Sequence, residues 1–156
     1  MEQDAVIDTL NDLIQATEDS HLGLQRSAED MKDEATKALL NDMAARRGAI
    51  VRDLQRTVAA LGGAPEATGT LMGGARRMVA EVAAALGARS DPAILADTVA
   101  AQEATLSVYG RMLDLDLPEE VLEAMAGHQD RLREDRDRLA ALNLPDQPAE
   151  PTRESA

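Results

Sequence analysis

Chain breakers fall in only a few places along these 156 residues, and the stretches between them carry apolar side chains at steps of three and four. That combination constrains the fold more than any other feature. Steps of three and four gather side chains on one face of an α-helix, whereas a strand alternates in twos. The first stripe runs Val6, Leu10, Leu13/Ile14, Thr17, His21, Leu24, Ala28 and predicts a helix from about Asp4 to Ala28. Glu29 to Asp33 is short and charged, which suits a tight hairpin between antiparallel helices. Asp33 is placed to cap the next helix, and Glu34 favours its positive N-terminal end. The second stripe carries Leu39/Leu40, Met43, Ile50, Leu54, Val58 and Leu61. Gly62-Gly63 then stops the helix by supplying a left-handed cap.

Residues 64–70 are a connector of breakers. A shorter helix is predicted from about Leu71 to Leu86, closed by Gly87, with Leu71, Ala75, Met78/Val79, Val82 and Leu86 on one side. Ser90-Asp91-Pro92 is a strong start signal, a capping side chain just before a proline in the first turn. The helix it opens has the stripe Val99, Gln102, Leu106, Tyr109, Leu113. Leu117-Pro118-Glu119-Glu120 opens the last helix, whose stripe is Val121, Met125, His128, Leu132, Asp135, Leu139, Leu142. Asn143 and Pro145 end it. The sequence thus predicts a helical domain over residues 1–143 and a disordered, acidic, proline-rich tail over 144–156.

The expected architecture is all-α: four long helices in two antiparallel hairpins, with a short extra helix in the long crossover. Leu10-Asn11-Asp12-Leu13-Ile14, Ser27-Ala28-Glu29-Asp30-Met31 and Leu61-Gly62-Gly63 carry a resemblance as well. So do Pro92-Ala93-Ile94-Leu95, Tyr109, Leu117-Pro118-Glu119-Glu120-Val121 and Asp137-Arg138. Over residues 6–142 the chain resembles a branch of uncharacterised bacterial four-helix-bundle proteins within the ferritin-like superfamily. Short, long and short connections around four helices are the ferritin-like topology.

Composition narrows function by exclusion. Lys and Arg number 16 against 29 Asp and Glu, a net charge of -13. Phosphate backbones and anionic lipid surfaces need a cationic face, so neither nucleic acid nor a membrane is an expected partner. Tyr109 is the only aromatic residue, which removes stacking platforms for bases. With no cysteine, thiolate nucleophiles and cysteine metal sites are excluded. The serines sit in no nucleophile elbow, and two histidines do not staff a triad. Met1-Glu2-Gln3-Asp4 has neither a basic n-region nor an apolar h-region, which predicts a cytoplasmic protein.

A ferritin-like metal site needs a carboxylate from each of two helices and a Glu-x-x-His pair from each of the other two. This chain offers one such pair, Glu18-Asp19-Ser20-His21, and the second helix carries Ala45-Arg46-Arg47-Gly48-Ala49 instead. Arginine repels a cation. The middle of each stripe places His21, Arg46 or Arg47, Gln102 and His128 at comparable heights, so they are expected to share one layer. That layer reads first as a hydrogen-bonded structural device that fixes register. The alternatives are solvated flanking positions, since a stripe slips easily by one residue, and a metal site of His21 and His128 with Glu18 or Glu103, holding iron, zinc or another transition metal. Asp130 to Arg138 reads as a solvated face of ion pairs, Arg131 with Asp135 among them. The crossover helix has more apolar surface than a lone connector needs. A homodimer or another protein partner is therefore expected, with that helix covering the bundle or at the interface. The overall reading is a non-enzymatic, interaction or stress-related bundle, with no cofactor; the alternative is a metal-binding or redox-active one.

Overall fold

The computed structural model describes residues 1–66 and 89–145. These residues form α1 (Gln3–Asp30), α2 (Glu34–Ala60), α3 (Asp91–Leu113) and α4 (Glu119–Ala140). The helix expected over 71–86 and the tail from 146 onward lie outside the described residues.

Local chemistry explains the boundaries. Asp33 caps α2 by accepting from the Thr36 amide at 2.9 Å and its hydroxyl at 2.6 Å. Those two donors hold the Asp33 carboxyl below the usual carboxylate range. Ser90 caps α3 through the Ala93 amide at 3.3 Å. Gly62 ends α2 with φ of 85°, a left-handed conformation that glycine adopts without steric cost. The next residue needs to be small for a different reason. A Cβ on Gly63 would lie 2.7 Å from Ile7 Cγ2, so only glycine lets the chain close against the start of α1.

The ends of the helices fix their directions. The Met1 amine lies 3.4 Å from Asp116, and the Gln3 side chain bonds the Leu61 carbonyl. The start of α1, the end of α2 and the α3–α4 turn therefore share one end, the lower one. At the upper end, Asp91 at the start of α3 accepts from the Lys32 and Asp33 amides at 2.9 and 2.8 Å. Hence α1 and α4 run up while α2 and α3 run down. α1 packs against α2 and α3, and α4 against α3; the contact between α2 and α4 is sparser.

The core is split in two. The lower cluster gathers around Leu10, Leu13, Ile14, Leu54, Tyr109 and Leu132. The upper one gathers around Leu24, Leu40, Met43, Ile94 and Leu139. Leu142 and Leu144 are half-buried against the upper cluster, so packing continues past residue 143.

Asp91 is buried although it is charged, because both its oxygens close the hairpin turn on α3. Hydrogen bonds to a charged group contribute about 1.5–3 kcal/mol. Asp91→Ala is expected to destabilise by about 2–3 kcal/mol in denaturant unfolding. A change within about 0.5 kcal/mol, as at an ordinary surface position, would contradict that role.

Candidate functional site

Between the two apolar clusters each helix contributes one polar side chain to a single layer: Ser20 from α1, Arg47 from α2, Gln102 from α3 and Asp135 from α4. Arg47 is the centre, with 0% of its surface exposed. Its Nη1 donates to Gln102 Oε1 at 2.6 Å and to the Ser20 hydroxyl. Its Nη2 donates to Asp135 Oδ2 at 3.1 Å. The other carboxylate oxygen of Asp135 accepts from Arg46 Nη2, also at 3.1 Å. The two neighbouring arginines differ in setting, since the Arg46 side chain is 48% exposed.

Burial lowers the Arg47 pKa, and the Asp135 carboxylate opposes that shift. The guanidinium stays charged, as arginine does throughout the protein range. Arg47 Nε finds no partner among the described residues. The planar fork suits this position because it presents several donors in fixed directions, and here three of the acceptors come from three other helices.

Just below, Thr17 donates to the Leu13 carbonyl at 2.7 Å, so the Tyr109 hydroxyl must donate to Thr17 Oγ1 at 2.9 Å. Burial pushes the Tyr109 pKa up to about 12, against the pull of the Arg47 charge. The phenol is therefore neutral near pH 7 and serves as a packed, hydrogen-bonded strut.

The expected layer is half right. Arg47 and Gln102 belong to it; His21 and His128 do not. The half-buried His21 lies beside Ser20 but bonds α2 instead, its Nδ1 2.7 Å from the Ala44 carbonyl. A carbonyl only accepts, so Nδ1 carries the proton. Gly48 makes room for this ring: a Cβ there would stand 3.2 Å from His21 Cε1. His128 sits seven residues before Asp135, about two turns or 10 Å lower. Its Nε2 is 3.6 Å from Asp53 Oδ2, and its buried Nδ1 has no partner among the described residues.

The expected metal ligands are likewise dispersed. Glu18 is half-buried on α1. Glu103 is exposed and faces Arg136 at 3.4 Å. Among the described residues no group of three or more His, Asp or Glu could hold an ion. The Arg131–Asp135 pair expected on the solvated face is replaced by the inward pairs of Asp135 with Arg46 and Arg47. A di-iron centre does not fit the layer: one hydroxyl, one amide and one carboxylate surround a fixed cation, where such a centre takes carboxylates and imidazoles.

A family model described as Domain of unknown function (DUF2383) matches residues 5–115. No curated protein matches the chain. Among solved structures, it is similar to a two-domain protein from Anabaena variabilis containing DJ-1/ThiJ/PfpI-like and ferritin-like domains. The TM-score is 0.74 and the identity 17%, over 100% of this chain and 42% of that one. The fold is ferritin-like. The chain spans less than half of that neighbour's length. No described helix is long and apolar enough to cross a membrane.

Two outcomes follow from the layer and its surroundings. Removing one partner of a buried ion pair costs about 3–5 kcal/mol, whereas exposed pairs are worth about 0–1. Arg47→Met is therefore expected to destabilise by about 3 kcal/mol or more and Arg46→Met by less than about 1; equal losses in denaturant titrations would contradict the asymmetry. Burial, the largest effect, and Arg131 lower the His128 pKa, against the pull of Asp53. The unfolded chain thus takes up this proton first, at its ordinary value of about 6.5. The stability held above that pH is lost as the pH falls through it, until folded His128 is itself protonated. Unfolding free energy measured from pH 7.5 to 5 should fall less steeply in His128→Gln than in the parent. Identical slopes would contradict the assignment.

Proposed function

The chain belongs to the DUF2383 family of uncharacterised ferritin-like helical proteins, and from that premise we propose that it is a non-catalytic bundle that works by binding protein. The observation that carries this reading is Arg47. A buried guanidinium hydrogen-bonded to a side chain from each other helix takes the place where a ferritin-like bundle gathers its metal ligands. The fold is retained while its centre is given to register and stability.

Two further observations support the reading. Beside the layer, His21 is bonded to a helix backbone, and Tyr109 is held neutral by burial and bonded to Thr17. In the Anabaena neighbour, a ferritin-like domain shares a chain with a DJ-1/ThiJ/PfpI-like domain. By analogy, a bundle of this kind is suited to work beside another folded unit. A metal-binding or redox-active role through His21, Glu18, Glu103 and His128 finds no such support, because these residues do not converge.

The test is metal content together with thermal unfolding of natively purified protein. The expected result is metal well below one ion per chain and a melting temperature unchanged by chelator. A resident ion at a hundred times its dissociation constant would add about 2.7 kcal/mol, so its removal would be plain in calorimetry. One or two ions per chain and a chelator-induced fall in melting temperature would overturn the reading.

A further inference from the structure

The seam between α2 and α4 is held differently above and below its middle. At the layer, Asp135 engages Arg46 and Arg47 together. About 10 Å lower, the two helices share one further polar contact among the described residues, His128 Nε2 facing Asp53 Oδ2 at 3.6 Å. That separation is too long for a hydrogen bond. Beside it the surface opens into a dent of about 350 Å³, lined by Thr57 and Ala60 of α2 and Ala124 of α4. Residue 127 of α4 is a glycine that no close contact requires, since a Cβ there would meet nothing within 4 Å. Glycine weakens a helix interior more than any residue except proline. This half of the seam is thinly held.

The ring at its centre is nearly sealed. His128 is 6% exposed, and its Nδ1 has no partner among the described residues. A neutral imidazole carries one proton, on one nitrogen or the other. On Nε2 the proton points at a carboxylate oxygen. On Nδ1 it would be a buried donor without an acceptor, and the bare Nε2 would face Asp53 with like partial charge. The neutral ring is therefore the Nε2–H tautomer, the reverse of His21, whose Nδ1 donates to the Ala44 carbonyl. A second proton can go only to Nδ1.

We propose that the lower half of the α2–α4 seam is an acid-opened latch: a proton on His128 Nδ1 has no acceptor in the closed seam, so the helices part there and water takes that place. Histidine suits such a switch because its charge changes in the mildly acidic range. Above the ring, the charge-assisted bond from Arg47 to Asp135 confines the opening to the lower half. Leu54 and Val58 of α2 and Val121 and Met125 of α4 belong to the lower apolar cluster. Opening brings water to them.

The charges around the ring do not remove the conflict. Burial, the largest effect, and Arg131 of α4 hold its pKa below the ordinary value, against the pull of Asp53. Asp53 is itself shared with Arg56 of α2, which lines the same dent. Among the described residues, α1 and α3 bring no charge to bear on the ring. The open form, with water at Nδ1, takes up its proton near the ordinary value of about 6.5. The closed form does so only at lower pH. Closure is thus favoured above that value and lost as the pH falls through it, until the closed form is protonated as well.

The test has two readouts on the full-length chain. Long-range imidazole nitrogen–proton correlations of the parent protein at pH 7.5 should show His128 as the Nε2–H tautomer. The absence of cysteine allows the second. Val58→Cys places a buried thiol in the lower cluster and Ala44→Cys one in the upper cluster. Their reactivity toward a dipyridyl disulfide is taken relative to a free thiol at the same pH. Between pH 7.5 and 5.5 the relative rate should rise about fivefold or more at residue 58 and less than about twofold at residue 44. Adding His128→Gln should remove the rise. An Nδ1–H tautomer, unchanged reactivity at residue 58, an equal rise at both thiols, or a rise that persists with His128→Gln would overturn the proposal.

Discussion

The rest of this bundle is arranged around one buried charge. Desolvating a guanidinium is expensive, and the cost is offset only if carboxylate and neutral acceptors meet it in good geometry. Arg47 finds Asp135, Gln102 and Ser20, one from each of the other helices. Since the acceptors lie at fixed positions on separate helices, a slide of any one helix by a turn would leave the guanidinium without a partner. An apolar layer would tolerate such a slide far better. The layer therefore acts on register more than on raw stability, the role buried polar groups fill best.

That constraint accounts for features that look unrelated. The apolar core is divided above and below the layer, with Leu24 and Leu40 on one side and Leu13 and Leu54 on the other. α2 and α4 touch least of the neighbouring pairs, and their principal polar links are the ion pairs of Arg46 and Arg47 with Asp135 and the contact of His128 with Asp53. Asp135 serves two arginines, one sealed from water and one at the surface, so a single carboxylate ties the centre of the bundle to its outside.

Much of the architecture was legible in the sequence, because periodicity and breakers are local signals. Ser90-Asp91-Pro92 marks the start of α3, and Gly62-Gly63 the end of α2. The bonds of Asp91 to the α1–α2 turn were not legible, since nothing local ties residue 91 to residues 32 and 33. The layer was half legible for a geometric reason. On α1 a step of four from Thr17 reaches His21 and a step of three reaches Ser20, and both continue to Leu24. On α4 His128 and Asp135 share one stripe seven residues apart, so the face was readable but the height was not. Height depends on where the opposing helices begin, which is a tertiary fact. The sequence nevertheless held a usable signal in Asp135, the one acid on its stripe, opposite a helix with Arg46-Arg47.

The central claim is that Arg47 and Asp135 form one energetic unit, and a double-mutant cycle measures it most directly. Arg47→Met and Asp135→Leu should each destabilise by about 3–5 kcal/mol, because each strands a partner. The double variant, with both charges replaced by apolar groups, should be markedly more stable than the sum of the single losses implies. Losses that simply add, to within about 0.5 kcal/mol, would contradict the account.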